Sequence, residues 1–318
     1  MALLQGLVAN VGDGWKWFLD QLSGFFSAVS TLAAPQQIPP ASFLNHSDPL
    51  PEALEHARAS LEAAALLGRR TAELHLALSG NVQDPAFAAE PFTSDDLCLA
   101  ARRIDDQITS TLEALKTKLA TLTDLTADAA ALLLSRRIEL FARANAITGV
   151  KAAGQRIRIH GDYHLGQVLR TVDHGTDSGG EDGDFVVLDF EGEPARPLVE
   201  RRRKQSPLKD VAGMIRSLSY AAYSGLDQYR TANPALSRNS APDHMLAWAL
   251  FWQNSASSEF LRAYRETIAS NPALLPEPQE AQVLLGAYLL EKALYELLYE
   301  LNNRPGWLRV PLNGILNS

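Results

Sequence analysis

Helical periodicity runs through most of this 318-residue chain and breaks in one stretch, residues 156 to 193. Arg156 to Ile159 is a short β-prone run leading to His160-Gly161-Asp162, and Phe185 to Leu188 is a second leading to Asp189. Val168 to Val172 lies between them, followed by the turn-prone Asp173 to Asp184. Runs of Val, Ile and Leu bounded by Gly and Asp clusters predict a small β structure. Folded so, the stretch brings Asp162, Gln167 and Asp189 together at strand ends. Two carboxylates and an amide in one place can hold a hard, oxygen-preferring cation and position a hydroxyl.

Around that insert the spacing predicts helices. Apolar residues at Trp15, Phe18, Leu19, Leu22, Phe25, Phe26 and Val29 share one helical face, with Asp13 placed to cap it. Further helices are predicted over Glu52 to Leu78, Ser94 to Leu122 and Ala127 to Ala146, and these three are expected to pack as a bundle. Others follow from Ser206-Pro207 to Tyr223, from Pro242 to Ser270 and from Glu277 to Asn302. Met1 to Val8 reads as a strand and Ala9 to Gly14 as a turn. The expected class is mainly α with a small β insert, and nothing points to a doubly wound sheet.

Composition narrows the function classes. A net charge of −8 argues against a general nucleic-acid binder. The single Cys98 excludes an internal disulfide and fits a reducing, cytoplasmic setting. No apolar run reaches the roughly 18–20 residues of a spanning helix, so no membrane partner is expected.

Three readings of His160-Gly161-Asp162-Tyr163-His164 compete. Asp162 can be a turn aspartate after a strand. His160, Asp162 and His164 alternate, which on an extended strand puts them on one side and permits a zinc hydrolase. The third reading is phosphotransfer: Asp162 accepts a hydroxyl proton, the amide five residues on (Gln167) binds magnesium, and Asp189 bridges the metal to phosphates. Asp189-Phe190-Glu191-Gly192 stands where kinases carry D-F-G, with one residue inserted. The two halves in this order, with hairpin sequence between, are more specific than either alone.

With those residues in view, the chain resembles the large C-terminal lobe of the aminoglycoside-phosphotransferase-like, protein-kinase-like fold, and within it the maltokinase family, including the maltokinase region fused to trehalose synthases. The matching stretches are LLQGLVANVGDGW (3–15), LGRRTAELHLAL (67–78), HGDYHLGQVL (160–169), VVLDFEGEP (186–194), ERRRKQSPLKDVAGMIRS (200–217) and EKALYELLYELNNRPGWLRVPL (291–312). The resemblance implies phosphorylation of maltose by ATP to maltose 1-phosphate, with Mg2+. It makes Asp162 the base, Gln167 and Asp189 the metal ligands, and His160 and Asp210 supports of the catalytic loop. Glu191 and Glu193 are candidates for metal or sugar contact, or for capping a turn. Lys292, Tyr299, Arg304 and Trp307 are candidate sugar contacts, and Arg201 to Lys204 is either a solvated patch or a phosphate-steering run.

The resemblance also implies that the chain begins at the hinge, with the nucleotide-binding N-terminal lobe absent. Residues 1–12 are then a remnant of hinge strand and linker, with Gln5, Gly6, Leu7 and Val8 facing adenine, and 13–318 are the catalytic lobe. Asp13 lies near a ribose position or caps a helix. An unpaired hinge strand is expected to leave an apolar patch near the N-terminus. A small lobe in trans or a trehalose synthase is the expected protein partner. A noncatalytic sugar- or partner-binding remnant is the second hypothesis, and the zinc hydrolase the third.

Overall fold

A computed structural model describes residues 6–38, 40–44, 50–80, 83–172, 183–190, 192–193, 197–234 and 242–317. Most of them are helical. Helix α1 is Gly14–Val29, and its N-terminus is capped by Asp13, whose carboxylate accepts from the Lys16 amide at 2.8 Å. Helix α2 is Pro51–Ser79 and α3 is Ser94–Lys118. The predicted third helix breaks at Arg136 into α4, Asp124–Ser135, and α5, Arg137–Asn145. A short helix, α6, spans Leu198–Arg201, and long helices α7, Leu208–Ala232, α8, Pro242–Ile268, and α9, Pro278–Asn303, come after it. Helix α10, Arg309–Leu316, closes the described chain in a segment with no predicted element.

The expected bundle of α2, α3 and the third helix does not form. Helix α2 lies along α8, while α3 packs against α9 and α5. Gly68 shows why: a Cβ there would collide with the Phe260 carbonyl of α8. Backbones approach this closely only where one helix lacks a side chain, and the periodicity of α2 does not disclose which helix is across from it. Trp248, Trp252, Phe260, Tyr264 and Tyr288 from α8 and α9 fill the core with Phe18 and Phe26 of α1. Each such side chain contributes on the order of 2–3 kcal/mol by leaving water.

Two small sheets carry the β insert. Strands β1 (Asn10–Asp13), β4 (Val168–Thr171) and β5 (Phe185–Val187) form an antiparallel sheet in the order β1-β4-β5. The hairpin register sets Val168 opposite Val187 and Arg170 opposite Phe185. The run Arg156 to Ile159 does not join that sheet. Gln155–Arg156, β3, pairs with Glu90–Pro91, β2, and Ile157 bridges to Gln205. The N-terminal strand also falls later than expected. Residues 1–5, including Gln5, lie outside the described residues, and Gly6, Leu7 and Val8 are irregular, with Leu7 fully exposed. Pairing with β4 recruits Asn10–Asp13, a turn-like sequence, through an irregular register. Tertiary pairing overrides local β propensity here.

Candidate active site

Helix α7 anchors the site. Asp210 in its first turn is buried, where the positive end of the helix favours a carboxylate. Its Oδ2 accepts from the His160 amide at 2.8 Å and its Oδ1 from the Gly161 amide at 2.9 Å. The Nε2 of buried His75 lies 3.2 Å from the same Oδ2, and His75 Nδ1 lies 2.9 Å from the Tyr264 hydroxyl. One turn on, Gly213 lets the loop rest on α7, since a Cβ there would stand 2.6 Å from the Tyr163 carbonyl oxygen. Ser217, a further turn along, accepts from the Leu165 amide at 3.0 Å. The loop from 160 to 165 is therefore held by successive turns of one helix.

His160 ties the loop to the hairpin. Its Nδ1 accepts from the Asp162 amide at 3.3 Å, so Nε2 carries the proton and donates to the Leu188 carbonyl at 2.6 Å. The Leu188 amide donates in turn to the Gln167 carbonyl at 2.9 Å. Gln167 and Asp189 thus flank the paired ends of β4 and β5. Asp189 has a φ of 53°, a left-handed conformation that is uncommon for a residue with a side chain and clusters at functional sites.

The same bonds bear on the zinc reading. Both ring nitrogens of His160 are engaged with backbone, and His164 Nδ1 accepts from the Gly166 amide at 3.1 Å. Among the described residues no three His, Cys, Asp or Glu side chains gather as a metal cluster. His160, Asp162 and His164 do not form a zinc triad. Burial holds the His164 imidazole below its ordinary value; Asp162 opposes that shift and Lys292 adds to it.

Asp162 lines a cavity of about 100 Å³ with Gly192, Glu193, Glu200, Arg201 and Lys292 among its neighbours. The carboxylate of Asp162 makes no hydrogen bond and the Lys292 ammonium no ion pair among the described residues; Lys292 lies 5.2 Å from the Tyr295 ring centre. Lys209 also faces the cavity and pairs with Glu291 at 2.8 Å.

The structure separates the other sugar candidates from this cavity. Arg304 binds Glu300 at 2.7 Å and lies over the rings of Tyr299 and Trp307, at 5.4 and 5.5 Å. Trp307 stacks with Tyr220, which donates to Glu300 at 3.2 Å. Neither Tyr299 nor Arg304 lines the Asp162 cavity. Glu191 lies outside the described residues. Sequence reasoning missed His75, Arg103, Lys209 and Glu291. For His75 a signal existed: Thr71 and His75 are four apart, so two polar groups share one face of α2, and both are buried.

Asp162 on a loop and Asp189 at the end of a hairpin stand on a mostly helical scaffold, and the fold is that of solved glucosamine kinases. No family model matches the chain. It is 26% identical over 299 residues to a glucosamine kinase of Streptacidiphilus jiangxiensis, covering 94% of this chain and 53% of that protein. It is 31% identical over 155 residues to a glucosamine kinase of Mycolicibacterium smegmatis, 48% of this chain and 32% of that protein. A solved glucosamine kinase superposes with a TM-score of 0.65 at 23% identity, covering 96% of this chain and 58% of that one. Another, in complex with glucosamine, ADP and inorganic phosphate, superposes with a TM-score of 0.64 at 24% identity, covering 96% of this chain and 60% of that one. The chain spans about half the length of the first of these relatives. Among the described residues no helix is long and apolar enough to cross a membrane.

Proposed function

We propose that the chain is the acceptor- and metal-binding lobe of an ATP-dependent sugar kinase, working with a nucleotide-binding lobe. The observation that carries this reading is the open Asp162 carboxylate at the cavity wall, on a loop whose backbone is fixed by Asp210 and His160. Asp162 accepts the proton of a sugar hydroxyl as that oxygen attacks the terminal phosphorus of ATP, and ADP departs. Gln167 and Asp189 fit Mg2+: they offer amide and carboxylate oxygens, and Mg2+ in such enzymes is held by one or two protein ligands plus phosphates. Bound there, the ion neutralises charge on the phosphates. Lys292, free of any ion pair among the described residues, orients the acceptor or the transferred group by charge.

For the acceptor, a single amino sugar is the first choice. The cavity of about 100 Å³ is far below the roughly 300–1,000 Å³ of sites for drug-sized ligands, which favours one sugar ring over two; its wall carries Asp162, Glu193 and Glu200 together with Arg201, Arg203 and Lys292. The names of the relatives, glucosamine kinases, support the same choice. Maltose, with a trehalose synthase as partner, is the second reading and rests on the motif stretches from 186 to 194 and 291 to 312. The test measures ATP- and magnesium-dependent phosphorylation of glucosamine and of maltose by the protein together with a nucleotide-binding lobe, and by the same assembly carrying Asp162→Asn. The expected outcome is turnover of glucosamine, lost by at least a hundredfold in the variant. A near-normal rate in the variant removes Asp162 as the base. Turnover of neither sugar, with sugar binding retained, identifies a noncatalytic remnant instead.

A further inference from the structure

A second recess, of about 590 Å³, adjoins the Asp162 cavity. Arg103, Arg203, Gln205, Lys209, Tyr288 and Glu291 line both. The cations facing this recess fall into two groups. Arg156 binds Asp96 at 2.6 Å and Glu90 at 2.9 Å, Lys204 binds Glu90, and Lys209 binds Glu291 at 2.8 Å. These pairs use every carboxylate on the wall, namely Glu90, Asp96 and Glu291. Arg103, Arg158, Arg202 and Arg203 also line it and make no ion pair among the described residues. Four guanidinium groups without an ion pair among the described residues thus line one concavity, within a chain whose net charge is −8.

The backbone builds this arrangement. Ile157 and Gln205 exchange both of their amide bonds, at 3.0 and 2.8 Å, which sets the chain after β3 beside the chain after α6. Arg158 on one strand and Arg202–Arg203 on the other are therefore neighbours by construction. Arg158 is fixed as well. Its Nη1 donates to the Arg202 carbonyl at 2.8 Å, and its guanidinium lies 5.6 Å from the centre of the Phe87 ring. A stacked, hydrogen-bonded fork loses little freedom when it takes a ligand, and its donor geometry matches the oxygens of phosphate. Crowding like charges is unfavourable without an anion between them.

The geometry points to a second anion site, beside the acceptor cavity and distinct from it, that takes the phosphomonoester group of a small ligand. Arg158, Arg202 and Arg203 hold the phosphate oxygens, and Arg103 stands at the wall shared with the cavity. The recess is bounded and the chain is acidic, which does not fit a nucleic acid backbone.

Two sources share this chemistry, inorganic phosphate and a sugar phosphate, and titration calorimetry separates them. Inorganic phosphate and glucose 6-phosphate are each titrated into the protein carrying Asp162→Asn, at low salt. No turnover is read, so the result stands or falls independently of the kinase reading. Saturable binding is expected, weakened at least tenfold by Arg202→Gln/Arg203→Gln and, separately, by Arg158→Gln, but unchanged by Arg69→Gln, on α2 and outside the lining of the recess. Arg202 and Arg203 are exposed and carry no side-chain bond among the described residues, so the double variant is expected to keep its melting temperature, which is measured alongside. Tighter binding of the sugar phosphate assigns the site to a phosphorylated sugar; equal affinity assigns it to free phosphate. Absence of saturable binding, or binding that the double variant leaves unchanged, overturns the proposal.

Discussion

Replacing Asp210 by Asn changes one buried atom, and the surrounding bonds set the size of the effect. The carboxylate takes three donors: the amides of His160 and Gly161, at 2.8 and 2.9 Å, and His75 Nε2, at 3.2 Å. An Asn must turn its NH2 towards one of the two amides, because each carboxylate oxygen faces one of them. The amide that loses its acceptor is that of buried His160 or that of Gly161, whose bond is part-buried, at a cost of roughly 1–3 kcal/mol. The other bonds lose their charge assistance, worth about another 1 kcal/mol. The sum is about 2–4 kcal/mol, a large part of a normal stability of roughly 5–15 kcal/mol but short of unfolding most domains. Urea denaturation reads it directly: the midpoint falls while the slope with denaturant stays the same. In the kinase assay the same variant is expected to lower kcat by tenfold or more with little change in KM for the sugar, since the loop that carries Asp162 loses its tether. A midpoint shift equivalent to less than about 0.5 kcal/mol would refute the idea that Asp210 holds the loop.

Two further outcomes test neighbouring parts of the site. Gly213→Ala should destabilise by about 1–3 kcal/mol through overpacking against the Tyr163 carbonyl, and should cut kcat more than it raises KM. Gly286→Ala, where a Cβ meets nothing within 4 Å, should instead stabilise by about 0.5–1 kcal/mol, and equal signs for the two would show that the loop does not rest on α7. The third concerns acid. Arg70 binds Asp184 at 2.7 Å; burial raises the Asp184 pKa, but the Arg70 hydrogen bond, the Phe185 amide and nearby positive charge outweigh it and hold the group below its ordinary value. A carboxylate depressed in the folded state contributes stability above its unfolded pKa and loses it as pH falls through the folded value. Arg70→Gln should therefore move acid unfolding to higher pH, while costing no more than about 1 kcal/mol at neutral pH because the pair is half exposed. An unmoved acid midpoint counts against the clamp.

Legibility in the sequence tracked the range over which residues interact. Most helix ends came within a few residues because periodicity and caps are local, as Asp13 and the Trp15 to Val29 face show, but α7 runs on to Ala232, past its expected end at Tyr223, and the third helix breaks at Arg136. Asp162, Gln167 and Asp189 were read together because five residues and one hairpin separate them, and the structure links their segments through the His160 ring and the Leu188 backbone. The α2–α8 contact was not: Gly68 and Phe260 are nearly two hundred residues apart, and an apolar face does not name its partner. Strand β1 was hidden by a composition suited to turns, since its pairing depends on β4. Lys209 stayed obscure for the same reason, since its partner Glu291 is on another helix; His75 left only the weak signal of Thr71 four residues before it, and its partner Asp210 is also on another helix.

The His160 ring joins the Asp162 amide to the Leu188 carbonyl, and Leu188 returns a bond to Gln167. Loops ordinarily open independently of the core beneath them. This one closes a circuit with the hairpin, so releasing either segment breaks bonds in both. The 160–167 loop and the 188–189 turn then form one cooperative unit: a disturbance that reaches Asp162 also reaches Gln167 and Asp189, so the proposed base and the proposed cation ligands are lost together.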